Sequence, residues 1–89
     1  MVVDDDEPPV EIPIEDVLDL HPFRPDEVRD VAREYLEEAR RRGFTEVRLI
    51  HGRGKGVQRA LIQRMLQELP FVKGFRDDAH LGATVVLLE

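Results

Sequence analysis

Glu46-Val47-Arg48-Leu49-Ile50-His51-Gly52-Arg53-Gly54-Lys55-Gly56 decides the fold. Its first six residues, with Val47, Leu49 and Ile50 set among Glu46, Arg48 and His51, read as a strand. Alternating glycine and base follow, and then Val57, Leu61, Met65 and Leu69 recur at helical spacing until Pro70. A strand that passes through a glycine turn into a helix is half of a crossover, the connection that strands of like direction in one sheet require.

The same pattern appears on either side. Val17-Leu18-Asp19-Leu20-His21 is a short apolar run closed by Pro22 and predicts an earlier strand. Pro25 suits the first turn of a helix, where its missing N–H costs nothing. Val28, Val31, Ala32, Tyr35, Leu36 and Ala39 then form an apolar face over a helix of about 25–42, with Arg40, Arg41 and Arg42 in its last turn and Gly43 as its stop. Downstream, a third strand spans about Val72–Asp77, and Asp78-Ala79-His80-Leu81-Gly82 turns the chain into a fourth, Ala83–Leu88. The apolar run of this last strand predicts burial. The order β-α-β-α-β-β predicts an α/β two-layer sandwich with a mixed four-stranded sheet. Its first three strands should run one way and the fourth against them.

Eighty-nine residues make one domain, enough to bury roughly 60% of the unfolded surface. There is no cysteine, so disulfides and thiolate metal sites are excluded. No apolar run approaches the roughly 20 residues of a membrane span. Acids rather than bases follow Met1, unlike a signal peptide, and the expected location is the cytoplasm. The net charge of −6 is unevenly spread. Residues 1–16 hold seven acids and no base, together with Pro8, Pro9 and Pro13, and read as an acidic, flexible arm. Removing those seven leaves 12 acids against 13 bases in residues 17–89, a net of +1. The folded part is near neutral, so the placement of its bases decides what it binds.

All three histidines fall at or just beyond the ends of the first three strands: His21, His51 and His80. In open α/β sheets that edge is where ligands bind. Asp19 lies two residues before His21 on the same face of its strand, placed to orient it, to activate water, or simply to cap a neighbouring loop. Gly52-Arg53-Gly54-Lys55-Gly56 joins a strand to a helix N-terminus, where backbone N–H groups and the helix dipole favour an anion. Arg53, Lys55 and Arg59 add charge there, and Arg24 projects from the same edge. The turn matches neither a Walker A loop nor a dinucleotide fingerprint. Phe23 is the only aromatic near the edge, which points to backbone contact rather than base reading.

These residues resemble a known family. Leu18-Asp19-Leu20-His21 resembles the Leu-Asp-Leu-His-Gly motif that opens Smr (small MutS-related) domains. His51-Gly52-Arg53-Gly54 looks like their His-Gly-x-Gly motif, and Gly82-Ala83-Thr84 like their closing Gly-x-Thr strand. Pro22 stands where the family has glycine. The resemblance covers about residues 16–89 and reads as a free-standing Smr domain with no attached mismatch-recognition domain. It implies a fold similar to the C-terminal domain of translation initiation factor 3. It also implies nucleic-acid binding and, in several members, nicking or endonuclease activity on DNA or RNA.

The expectation is therefore a domain that grips a DNA or RNA backbone. Arg24, Gly52, Arg53, Gly54, Lys55, Gly56, Arg59 and His80 are the candidate phosphate contacts. Asp19, His21 and His51 are the candidate catalytic groups: His21 as base, and His51 as proton donor or phosphate ligand. No cofactor is demanded. A divalent metal on Asp19 with His21 or His80 is an option for cutting DNA. The alternatives are a binding module without chemistry and a protein-interaction domain that works through its acidic arm. A monomer is the expected state.

Overall fold

The computed structural model describes residues 14–52, 56–78 and 82–89, and the order of elements is the expected one. They are β1 (Val17–Asp19), α1 (Pro25–Arg41), β2 (Glu46–Ile50), α2 (Val57–Glu68), β3 (Val72–Asp78) and β4 (Ala83–Leu88). The sheet order is β1-β2-β4-β3. β1 pairs parallel with β2, and β4 runs antiparallel between β2 and β3. β1, β2 and β3 thus share one direction, as the crossovers require. β4 lies between β2 and β3, and Ala83, Thr84, Val85, Val86 and Leu88 are all buried: Val86 and Leu88 under the helices, and Val85 on the other face between the long side chains of its register partners Arg48 and Arg76.

One register parity faces the helices. Val47 and Leu49 of β2, Val86 and Leu88 of β4, and Leu20 just past β1 meet Val28, Ala32, Leu36 and Ala39 of α1 and Ile62, Met65 and Leu66 of α2. Each such side chain contributes about 1.5–3 kcal/mol by leaving water. Phe44, Phe71, Phe75 and Tyr35 pack around this cluster. On the opposite face, charges bridge β2 and β3 over β4: Arg48 lies 3.8 Å from Asp78 and Arg76 3.9 Å from Glu46.

α1 begins at Pro25 with Asp26 and Glu27 in its first turn. The Glu27 carboxylate accepts the Arg24 amide at 3.2 Å. It ends where Gly43 turns to φ +86° and the amides of Gly43 and Phe44 reach back to the carbonyls of Arg40 and Ala39.

Two expectations shift. The apolar stripe of α2 is not Val57, Leu61, Met65 and Leu69: Val57 is 74% exposed, and Ile62, Met65 and Leu66 are the buried residues. Steps of four residues advance about 400°, so an i+4 series drifts off the covered side while the i, i+3, i+4 set stays on it. The first strand, expected to run through His21, stops at Asp19. A turn in which the Phe23 amide donates to the Leu20 carbonyl at 3.1 Å replaces it there, and Pro22 has no N–H to continue a ladder.

Candidate functional site

The ends of β1 and β2 are neighbours. Asp19 is in register with Ile50, and the Leu20 amide donates to the Ile50 carbonyl at 2.8 Å. By that register His51 comes opposite Leu20, the residue before His21, so both histidines stand at the carboxyl edge of the sheet. Their environments differ sharply.

His21 is exposed. Asp19 Oδ1 accepts the backbone amide of His21 at 2.9 Å. The carboxylate thus holds the peptide that carries the histidine. Arg24 stands exposed three residues on and makes a two-point pair with Asp26, Nη2 to Oδ2 at 2.8 Å and Nε to Oδ1 at 3.3 Å. Exposed pairs of this kind contribute about 0–1 kcal/mol and exchange readily for another anion.

His51 is only 7% exposed. It continues the parity of Val47 and Leu49, so its ring points under α2. There Nδ1 lies 3.0 Å from the Gly52 carbonyl and Nε2 3.0 Å from Thr84 Oγ1, which also accepts Gln63 Nε2 at 3.2 Å. A carbonyl can only accept, so Nδ1 carries a proton. In the neutral ring Nε2 then accepts the Thr84 hydroxyl, whose oxygen in turn takes the Gln63 amide. The polar groups form one chain from α2 through β4 to the start of the glycine turn, with every member satisfied. The amides of His51 and Gly52 both donate to the Gly82 carbonyl, at 3.0 and 2.9 Å. The Gly52 N–H is therefore committed to β4's approach rather than turned outward. Gly52 itself sits at φ +94°, a conformation that a side chain disfavours.

Gly56 closes the turn at φ +83°, with no side chain to cap α2, and its carbonyl accepts the Ala60 amide at 2.9 Å. The first turn of α2 contains no acid, so its positive dipole end meets no negative side chain of its own. Arg59 lies beside it and pairs with Asp77 Oδ2 of β3 at 2.9 Å, both side chains partly exposed. Arg53, Gly54, Lys55 and His80 lie outside the described residues. Among the described residues, no three His, Cys, Asp or Glu side chains gather to hold a metal ion, and no helix is long and apolar enough to cross a membrane.

Charge follows the same division. Residues 47–76 carry seven bases (Arg48, Arg53, Lys55, Arg59, Arg64, Lys73 and Arg76) against one acid, Glu68. α1 carries six acids against four bases. The sequence alone did not show Thr84 and Gln63 as partners of His51. A threonine inside an apolar central strand was the available signal, since a buried hydroxyl needs a partner.

The Smr domain family model matches residues 18–89. Endonuclease MutS2 of Fusobacterium nucleatum is 37% identical over 86% of this chain, and Endonuclease MutS2 of Clostridium novyi is 38% identical over 81%. Each match takes in only 10% of the relative's length. The crystal structure of the Smr domain of Thermus thermophilus MutS2 superposes with a TM-score of 0.76 at 34% identity, covering 82% of this chain and 96% of that one. Motifs, sheet order and these likenesses converge on nearly the same residues, and the chain belongs to the Smr domain family.

Proposed function

We propose that this domain binds a nucleic-acid backbone along the carboxyl edge of β1 and β2 and cleaves it there, with His21 as general base. The observation that carries this reading is the pairing of the two strand ends, Leu20 N–H to Ile50 carbonyl at 2.8 Å, with the exposed His21 following one end and His51-Gly52, where the glycine-rich basic stretch of the sequence begins, following the other. The endonuclease name of its relatives supports the same reading. A phosphate bound at the uncapped first turn of α2 meets the helix dipole. Arg59 and Arg24 can exchange their carboxylates for it.

On RNA, His21 takes the proton of a 2′-hydroxyl, the oxygen attacks the adjacent phosphorus, and the 5′-oxygen leaves with a proton from solvent. Bases around the turn stabilise the charge that develops on the phosphoryl oxygens. On DNA, the attacking group is water. Asp19 acts by fixing the peptide of His21, and His51 acts by bracing the turn through Gly52 and Thr84. The domain works as a unit of residues 17–89 together with residues 14–16, whose Ile14 packs on the core and whose Glu15 and Asp16 carbonyls accept the Tyr35 hydroxyl and the Arg48 amide.

One observation favours a second reading, binding without cleavage. Among the described residues His21 is the single exposed histidine, and His51, the other described imidazole, is held by Gly52 and Thr84 rather than free to protonate a leaving group.

The test is incubation with supercoiled plasmid and with folded RNA, with and without chelator, beside His21→Ala. The expected outcome is cleavage that disappears in the variant while binding remains. Products that persist in the variant would refute the catalytic role, and affinity that does not fall with added salt would refute phosphate-driven binding.

A further inference from the structure

We infer that Phe23 is a stacking platform for one unpaired nucleobase, so that the edge selects single-stranded or locally opened nucleic acid over intact duplex. This inference rests on the backbone-binding reading above and adds a substrate class to it.

Phe23 departs from the other aromatic residues. The chain has four phenylalanines, one tyrosine and no tryptophan. Phe44, Phe71, Phe75 and Tyr35 all pack against the core, whereas Phe23 is 37% exposed in the turn that follows β1. It lies two residues after His21 and one before Arg24, both exposed. An aromatic face in water costs hydrophobic free energy that a buried position would recover, and here it is placed between a candidate base and a cation.

The backbone under Phe23 is stiff. Its amide is bonded to the Leu20 carbonyl at 3.1 Å. Pro22 fixes φ on one side. On the other, Pro25 confines Arg24 to extended backbone, observed at φ −70° and ψ 148°. A ring on such a support loses little entropy when a base stacks on it. Pro22, which replaces the family's glycine, thus gains a role: it stiffens the platform.

Geometry sets the substrate class. In a duplex both faces of a base are covered by its neighbours, and only its edges reach the grooves. A base whose face is free belongs to a single strand, a loop, a flap or a frayed end. Stacking on an aromatic ring reads no sequence, because every base has a π-face. One platform beside phosphate contacts therefore agrees with backbone recognition and adds a requirement for an unpaired base. Arg24 can hold the phosphate of the same nucleotide.

The experiment measures binding of the full chain to a 12-nucleotide DNA strand, to its duplex, and to an abasic strand of the same length, at low and moderate salt. The base-bearing strand should bind roughly 5- to 100-fold more tightly than the abasic one. Phe23→Leu should abolish that ratio while leaving abasic affinity within about twofold, as expected for an exposed residue. Phe23→Trp should keep the ratio, and its indole, the sole tryptophan of the chain, should lose fluorescence on the single strand and not on the duplex. Equal affinity of the wild type for base-bearing and abasic strands would overturn the platform and leave backbone binding standing. So would an undiminished ratio in Phe23→Leu. No salt-dependent binding to any of the three ligands would overturn both readings.

Discussion

The tips of β1 and β2 are neighbours built from like sequence, Leu-Asp-Leu-His and Leu-Ile-His, and they do opposite things. At the first, the chain turns outward and His21 stands in water. At the second, the chain keeps its strand parity for one residue more, and His51 is carried under α2 to 7% exposure. The first imidazole can reach a ligand. The second cannot without breaking contacts to Gly52 and Thr84. A shared residue type at the sheet edge is therefore divided by burial into an accessible imidazole and one bonded within the fold.

The strongest way to break that comparison is at its exposed half. His21→Ala should lower single-turnover cleavage by about 10²–10⁴-fold while shifting stability by no more than about 0.5 kcal/mol. Equal loss of folding would show that the two tips are not distinct. At the buried half, His51→Ala should cost about 2–3 kcal/mol by leaving the Thr84 hydroxyl and Gly52 carbonyl unmet. For a domain of this size that lowers Tm by about 8–24 °C. A melting curve unchanged from wild type would remove the brace.

Smaller effects sharpen the picture. Gly52→Ala forces a side chain into φ +94° and should cost about 1–3 kcal/mol in urea unfolding, less than the loss of His51's network if both brace the same turn. Asp77→Asn releases Arg59 from its 2.9 Å pair. Affinity for single-stranded nucleic acid at low salt should rise a few-fold, with stability changed by less than about 1 kcal/mol. An unchanged affinity would place Arg59 outside the phosphate path.

The smallest effect lies away from both tips, at Tyr35. Its hydroxyl donates to the Glu15 carbonyl at 2.5 Å. Burial, with the nearby charges of Asp16 and Glu15, pushes its pKa from 10.0 to about 12. The native state thus favours the neutral phenol. The associated stability is complete below pH 10 and is lost as pH rises from about 10 to 12. Tyr35→Phe should flatten the alkaline limb of a stability-against-pH curve, and an identical limb would show that this residue does not titrate there.

Much of the fold was legible because local rules and the global arrangement agree. Pro25 and Gly43 mark the limits of α1, and the apolar run from Ala83 marks the central strand. The crossovers force three strands into one direction. The stripe of α2 was misplaced because four-residue spacing mimics a helical face over two turns and then drifts from it. At the site, the positions of Asp19, His21 and His51 were readable as strand ends. Loop capping was among the roles open to Asp19, and its bond to the His21 amide is of that kind; spacing alone could not choose it, because a two-residue separation fits a side-chain or a backbone contact equally well.

The sequence by itself determined the order of elements, the sheet edge on which the histidines fall, and the excess of base over acid across residues 47–76, since each follows from periodicity, punctuation and composition. Only the tertiary structure decided which histidine meets solvent. That outcome depends on α2 and β4 closing over one strand end through Gln63 and Thr84, contacts between residues 21 and 33 positions apart that no local pattern encodes. Phe23 was already set at the edge by its place after the first strand, and the packed chain decided only that its ring stays 37% exposed there.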